Sequence, residues 1–416
     1  MSELPRSAEF NFVNDFLELR QVDVLADSTL RYRSLPLNAR SLQDLAAVVG
    51  RDHPTFTNLL DQLVHEARLR GSTAKRAELA SALRLAIEMR GRHRKVLITQ
   101  PLFSMLSAEE NAVAAAEWAK VGTIFDMDPE LAIAEIKSYV WSVKRKIPGN
   151  SVSDHCVPII YSRAQGSGKT TFVHCLLKPL AELASDAALF SDLTKEQTAH
   201  LFSYYALFFD DMEPIARNKV ARAKSVLTAS AVHRRILMTS MSTRVPIKFT
   251  AIGTSNFPIQ ELVPDPSGHR RFVMLPIKTG PDGIGGDTIV WDTVKSINYL
   301  LLWCSILALP EQASSGADIN PITPFRDARR QHQQLTANPK VLTFFQRFDP
   351  NDEKLMNDTR GQQIKADAVR HYFNRLMGEE IGQFRFKQLM DSFLGHPTSP
   401  FRGRGRLPDS ATYILK

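Results

Sequence analysis

Residues 157–173 read VPIIYSRAQGSGKTTFV, and this stretch decides the fold. An apolar run (Val157, Ile159, Ile160, Tyr161) gives way to a short Gly-containing loop, then Gly168-Lys169-Thr170-Thr171 and an apolar segment from Phe172 to Leu180. Strand, loop, Gly-Lys-Thr and helix is the plan of a phosphate-binding P-loop. Gly166 and Gly168 carry no Cβ, so the backbone can wrap a phosphate with its N–H groups inward. The helix N-terminus adds partial positive charge at the same spot. Gly166, Ser167, Gly168, Lys169, Thr170 and Thr171 are therefore the candidate nucleotide-binding residues. Lys169 is expected to reach the β/γ-phosphates of ATP and the Thr170 hydroxyl to ligate Mg²⁺. The first Gly of the P-loop pattern is Arg163 here. The plainer reading is a Gly-rich turn with a solvated lysine.

The 416 residues leave room for two or three domains. With 44% hydrophobic and 23% charged residues, the composition is that of an ordinary globular protein rather than a disordered or fibrous one. The three cysteines, Cys156, Cys175 and Cys304, are widely spaced, which points to a reducing cytosol without disulfides or a zinc site. No apolar run has the length of a membrane span and residues 1–10 do not read as a signal peptide, so a cytoplasmic, membrane-free protein is expected. A net charge of +8 favours a polyanionic partner, although charge alone does not separate nucleic acid binding from a generally basic surface.

Residues 1–95 read as mostly helical. Leu42, Leu45, Val48 and Val49, then Phe56, Leu59, Leu60, Leu63 and Val64, then Leu79, Leu83, Ala86 and Ile87 recur at three- and four-residue intervals. The basic run Arg90-Gly91-Arg92-His93-Arg94-Lys95 has two readings, a contact to nucleic-acid backbone or a solvated turn between helices. Residues 96–150 form a second helical block with a strong helix former at 108–119. Asp126-Met127-Asp128 resembles paired metal-binding carboxylates, but Pro129-Glu130 follows, so Asp128 reads as an N-cap with Pro at N1.

Residues 155–278 form the α/β block. The run 204–209, YYALFF, is apolar throughout, as a strand buried on both faces is, and ends in Asp210-Asp211. Acids at a strand's C-terminal end sit where ligands bind in α/β sheets. Asp210 is read as the Mg²⁺-shell aspartate and Asp211 as the group that activates water, with Glu213 its rival. A third strand, 249–253, ends in Thr254-Ser255-Asn256, and the Asn256 amide suits a γ-phosphate sensor; alone, it would be a turn residue. Between these strands lie Lys224, Arg234-Arg235 and 237–244, LMTSMSTR, with Lys248 beyond: a β-hairpin loop projecting from the sheet. Arg270-Arg271 follow in a tight turn between Pro266 and Phe272.

Residues 279–290 are Gly-rich and loop-like, 294–309 are a helix candidate, and the chain turns polar and helical from Pro321. Helices at 364–376 and 384–394, the basic run Phe401-Arg402-Gly403-Arg404-Gly405-Arg406 and a strand at 411–415 are compatible with a winged helix whose wing contacts phosphates, or with a structural cap.

The motif order IIYSRAQGSGKTT, FFDDME, KSVLT…RR…STR, IGTSN and PSGHRRF resembles the virulence-associated-protein-E-like ATPases of phages and mobile islands, and more broadly superfamily 3 helicases, over residues 136–278. The resemblance implies an AAA+-related core, Lys169 and Thr170 as Walker A, Asp210 and Asp211 as Walker B, and Asn256 as the polar sensor. It implies a DNA-gripping hairpin within 224–244 and an arginine finger at Arg270 or Arg271. Superfamily 3 members commonly act as hexameric rings on DNA. Departures are Arg163 for Gly, Asp211 for Glu, and Val273 where an aromatic often follows. Some relatives carry a fused primase domain, and nothing in residues 1–135 shows one.

The expected architecture is an α/β P-loop, AAA+-like ATPase core at 136–310, behind a helical N-terminal region at 1–135 and before a small winged-helix-like domain at 311–416. The expected function is an ATP-dependent DNA helicase or origin-melting replication ATPase, a homo-oligomeric ring on single-stranded and forked DNA, with a primase or other replication protein as further partner. Lys224, Arg234, Arg235, Arg244, Lys248, Arg402, Arg404 and Arg406 are its candidate DNA contacts. Two rivals are a nucleotide-switched initiator without unwinding activity and a protein-remodelling ATPase of phage interference.

Overall fold

The N-terminal unit is built by helices whose apolar faces cover one another. In this computed structural model, which describes residues 7–33, 41–43, 45, 54–195, 198–235, 242–280, 285–309, 319–378, 380–391, 393–395, 399–408 and 410–416, α1 (Ala8–Leu19) leads into a short antiparallel pair, β1 (Val22–Val24) and β2 (Leu30–Tyr32). Helices α2 (Phe56–Leu69) and α3 (Arg76–Leu102) follow. Ser7 and Thr55 cap α1 and α2 by accepting from the N–H groups of Phe10 and Asn58. Leu59, Leu63, Leu79, Leu83 and Ile87 meet in one buried cluster, as their spacing predicts, together with Phe10, Val13 and Leu17 of α1. Leu42 and Leu45 are exposed instead, and Val48 and Val49 lie outside the described residues.

The basic run 90–95 is neither a turn nor a free basic patch. It lies inside the 27-residue α3. Arg90 donates to Asn14 and Glu18 of α1, Arg92 pairs with Glu88 one turn back, and Arg94 pairs with Glu182 of the next unit. Local carboxylates already take three of these charges.

Helices α4 (Ala108–Ile124) and α5 (Pro129–Lys146) come next. A Ser107–Glu110 capping box starts α4, and the Asp128 carboxylate accepts from Glu130 N to start α5, as the sequence implies. The central layer follows as β3 (Val157–Tyr161), α6 (Lys169–Leu177), β4 (Ala206–Phe209), α7 (Arg217–Thr228), the β5 (Ala231–Arg235)–β6 (Ser242–Pro246) hairpin, β7 (Thr250–Ser255), α8 (Ile259–Leu262) and β8 (Phe272–Pro276). Helices α9 (Thr288–Ser296) and α10 (Tyr299–Ser305) replace the single helix expected over 294–309. The four-stranded sheet is parallel in the order β4-β7-β3-β8. Its strands face two cores. Ile160, Phe208, Ile252, Val273 and Leu275 join the cluster with α4, α5 and α6; Ile159, Leu207, Phe209, Ala251, Phe272 and Met274 join the opposite one. Burial on both faces explains why these strands read as unbroken apolar runs. The strand β8, not anticipated, has this pattern too.

Both expected domain boundaries move. A cut at 135/136 falls inside α5, whose Ala132, Ile136 and Tyr139 sit in the sheet's core with Trp118 and Val121 of α4. The core therefore includes α4 and α5. At the other end, α11 (Arg326–Thr336) is anchored on the core, although its Leu335 is buried with the C-terminal unit: Arg329 reaches Glu135 at 2.6 Å and Asp154 at 2.5 Å, and His332 bonds to Met274 O at 2.5 Å. The C-terminal unit proper comprises α12 (Pro339–Arg347), α13 (Glu353–Met356), β9 (Thr359–Arg360), β10 (Gln363–Lys365), α14 (Ala366–Met377), α15 (Gln383–Asp391), β11 (Phe401–Leu407) and β12 (Ser410–Leu415). Its antiparallel sheet runs β11-β12-β10-β9 over a Phe-rich core of Phe344, Phe373, Phe386, Phe393 and Phe401.

Arg329 is 7% exposed and Glu135 2%. Removing one partner strands the other charge in the core, so Arg329→Met is expected to cost about 3–5 kcal/mol in urea denaturation. Arg329→Met with Glu135→Met should recover most of that loss. A double variant as unstable as Arg329→Met alone would mean that the stability resides in Asp154 or in packing.

Candidate functional site

Three strand ends and one helix start converge at the C-terminal edge of the parallel sheet. β3 passes into the loop 162–168, whose first residue still pairs with the neighbouring strand, Ser162 N to Ser255 O at 3.2 Å. Gly166 and Gly168 take φ of +69° and +88°, a region open to glycine. With α6 starting at Lys169, the loop has the geometry of an anion cradle.

Lys169 is 8% exposed and its ammonium is turned into the site. It donates to Asn256 Oδ1 at 2.8 Å, Ala164 O at 3.2 Å, Ser162 O at 3.3 Å and Ser167 Oγ at 3.3 Å. Burial lowers its pKa, opposed by the carboxylates of Asp211 and Asp210. Asp210 Oδ1 accepts from the hydroxyls of Thr170 and Thr254, each at 2.7 Å. Asp211 has a φ of +46°, in the left-handed region that costs a non-glycine residue energy. That turn lets Asp211 N donate to Thr254 Oγ1 at 2.8 Å and Met212 N to Thr254 O at 2.7 Å. The Asp211 carboxylate then accepts from Asn256 Nδ2 at 2.7 Å. The predicted Lys169, Thr170, Asp210, Asp211 and Asn256 thus form one hydrogen-bonded cluster. Glu213 is exposed beyond it, and Thr171 is exposed on the first turn of α6.

A divalent cation at this cluster would find its oxygen donors in the Thr170 hydroxyl and the Asp210 carboxylate. Among the described residues no group of three or more His, Cys, Asp or Glu forms a metal site by itself. A cation held at Thr170 and Asp210 would neutralise phosphate charge. Two contributors were not assigned from sequence. Thr254 was named only as part of a strand end, yet it bonds the aspartate. Trp291 of α9 lines the same cavity of about 290 Å³, with residues 166–171, Val294 and Lys295. The signal for it, a lone aromatic after a Gly-rich loop, carries no chemistry until the fold places it.

Arg270 and Arg271 end the 3-10 turn Pro266–Arg271 before β8. The turn is pinned by His269 to Val263 O at 2.8 Å, by Lys224–Asp265 at 2.5 Å, and by Gln333 donating to Arg270 O and Phe272 O. Arg270 is exposed, while Arg271 Nε is buried with no hydrogen-bond partner among the described residues. Neither takes part in the bonds of the Lys169–Asp210 cluster described above.

The candidate DNA contacts divide. Lys224 is on α7, not on a hairpin, and its charge is taken by Asp265. Arg404 is held by Asp391 at 2.5 Å and lies 5.3 Å over the Tyr413 ring. Both are committed to their own fold, which corrects their reading as free phosphate contacts. Arg244 is exposed on β6, Lys248 is exposed just beyond it, and Arg406 is exposed on β11. Arg402, also exposed, donates to Gln362 Oε1 at 2.8 Å. Arg234 and Arg235 lie on β5, but their side chains and residues 236–241, which include most of the anticipated loop 237–244, are outside the described residues.

None of the curated proteins compared matches the chain. Among solved structures, the apo NrS-1 C-terminal region (305–718) is similar at 13% identity over 76% of this chain and 78% of that one, with a TM-score of 0.36. A JCV helicase solved with a bound acetamide compound is similar at 9% identity over 81% and 98%, with a TM-score of 0.32. Superpositions this loose give no residue-by-residue correspondence. Residues 133–300, from α5 through the parallel sheet into α10, match the Virulence-associated protein E-like domain, the family that the order of motifs resembles.

Proposed function

We propose that the chain is an ATP-hydrolysing DNA helicase or origin-melting replication ATPase of a phage or mobile element, working as a homo-oligomeric ring on single-stranded DNA. The observation that carries the reading is the pairing of the P-loop Thr170 with Asp210 at 2.7 Å, beside Lys169, Asp211 and Asn256. In it, Lys169 binds the β/γ-phosphates and Thr170 and Asp210 hold the cation. Asp211 takes a proton from water, and Asn256 orients that water while holding Asp211 in place. Glu213 is the weaker candidate, being exposed outside the hydrogen-bonded cluster. Arg244, Lys248, Arg402 and Arg406 are the proposed DNA contacts with described side chains, and the antiparallel β11–β12 hairpin would act as a wing. The decisive experiment is unwinding of a forked duplex by purified protein, with and without ATP, alongside its mass in solution. No ATP-dependent unwinding, with ATP turnover indifferent to DNA, would overturn the helicase assignment.

Lys169→Ala is expected to abolish MgATP binding, and Asp211→Asn to keep binding while turnover stops. Normal hydrolysis by Asp211→Asn, together with a dead Glu213→Gln, would move the proton-accepting role to Glu213.

Replacing Arg402 and Arg406 by Ala should flatten the slope of log K against log salt on duplex DNA by about 0.9 per lost phosphate contact, with basal ATPase intact. An unchanged slope would make the hairpin a structural cap.

Arg270 and Arg271 are proposed to act on a neighbour's nucleotide, a role typically supplying about 10³–10⁵ in rate. The variant carrying both Arg270→Ala and Arg271→Ala should bind ATP and barely turn over. Mixed with Lys169→Ala, it should regain activity, since random assembly pairs intact halves at roughly a quarter of interfaces. Mixed oligomers that stay dead at every ratio would mean that the arginines act in cis or only structurally.

A further inference from the structure

Trp291 has an environment that core packing does not explain. Of the four tryptophans, Trp118, Trp141 and Trp303 are buried at 3%, 5% and 0% exposure, whereas Trp291 keeps 36%. Its indole lies directly on the P-loop. A Cβ added at Gly168 would fall 2.9 Å from Trp291 Cδ1 and 3.1 Å from Nε1. The six-membered ring meets a second glycine: a Cβ at Gly286 would fall 2.5 Å from Cζ2, and 2.4 Å from the carbonyl oxygen of Gly166. The indole therefore touches two glycines, neither of which tolerates a side chain while it stays there. Its carrier is fixed as well. Asp287 caps α9 through Ile289 N at 2.8 Å, Trp291 N donates to Asp287 O at 3.0 Å, and Val294, one turn on, is 1% exposed in the sheet's core.

The cavity over the P-loop thus has two chemically different halves. One is the run of backbone and hydroxyl donors from Gly166 to Thr171; the other is Trp291 with Val294, and Lys295 lies beside them. A ligand filling both needs an anionic end and a flat, apolar end, which is the make-up of a nucleotide. We propose that Trp291 is the base-stacking surface of this site, a purine ring lying on the indole while the phosphates occupy the P-loop. The inference rests on the P-loop being a nucleotide site and adds what recognises the nucleoside. Stacking on an indole is favoured by the ring's polarisable face and tolerates any purine, so the contact supplies affinity rather than strict base choice.

The test titrates the purified full-length protein with MgATP, MgADP and inorganic tripolyphosphate by calorimetry, following tryptophan emission in parallel. Trp291→Ala is expected to weaken ATP and ADP by about tenfold, within the range of a single base–aromatic stack, and to leave tripolyphosphate unchanged. Trp291→Phe should restore most of the affinity yet lose the emission change that ATP causes in the unmodified chain. Equal weakening of ATP and tripolyphosphate would show that Trp291 only props the loop. Unchanged ATP affinity in Trp291→Ala, or an emission change that survives Trp291→Phe, would overturn the stacking contact while leaving the nucleotide site standing. Failure of the unmodified chain to bind any of the three ligands would remove the nucleotide site and this inference together.

Discussion

One carboxylate oxygen holds the site together. Asp210 Oδ1 accepts from Thr170, from Thr254 and, at 3.1 Å, from the N–H of Asp211. Thr170 belongs to the helix after β3, Asp210 follows β4, and Thr254 is on β7, the strand between them. The aspartate must reach across a whole strand to meet the P-loop, and the intervening threonine bridges the gap. This works only if the three strands are parallel and in this order, so the long-range topology and the local chemistry constrain each other. The chain's sharp turn at Asp211 follows from the same requirement. A left-handed backbone at a non-glycine residue costs about 1–3 kcal/mol, and here it delivers the second carboxylate to Asn256.

Much of this arrangement was legible in the sequence because the elements concerned have local signals. A strand buried on both faces reads as an apolar run, and a P-loop needs glycines before lysine and threonine at fixed spacing. Asp128 followed by Pro129 announces a helix start without reference to anything distant. The features that were missed depend on partners far away in the chain. Trp291 acquires meaning only when α9 is laid over Gly168, more than a hundred residues earlier. Residues 90–95 read as a basic patch until Glu18 and Glu182 appear beside them. Lys224 and Arg404 look like free cations, but Asp265 and Asp391 meet them in space. Composition reports how many charges there are; only the fold reports which are already neutralised.

The domain boundaries failed for a related reason. A helix such as α5 is amphipathic whether it joins the unit before it or the one after it. Tertiary burial decides, and Lys144 makes the decision visible. Its ammonium, fully buried, donates to the carbonyl oxygens of Leu102, Trp303 and Ile306. Helix α5, the end of α3 and the end of α10 are thereby tied at one point. The unit around the parallel sheet is thus closed by chain segments on both sides of the motif-bearing stretch, which is why a boundary drawn from motifs alone cuts through its packing.

The uninterrupted α3 runs between two hydrophobic cores. Its first turns are buried with α1 and α2, and its last residue, Leu102, is buried with the sheet's own cluster. At 1.5 Å per residue the helix is about 40 Å long, a strut with one end in each unit. A stiff strut converts rotation into translation: a tilt of about 10° in the core would carry the far end through about 7 Å over that length. The N-terminal unit is consequently geared to the parallel sheet, and small angular changes in the sheet's core would be magnified at the far end of α3.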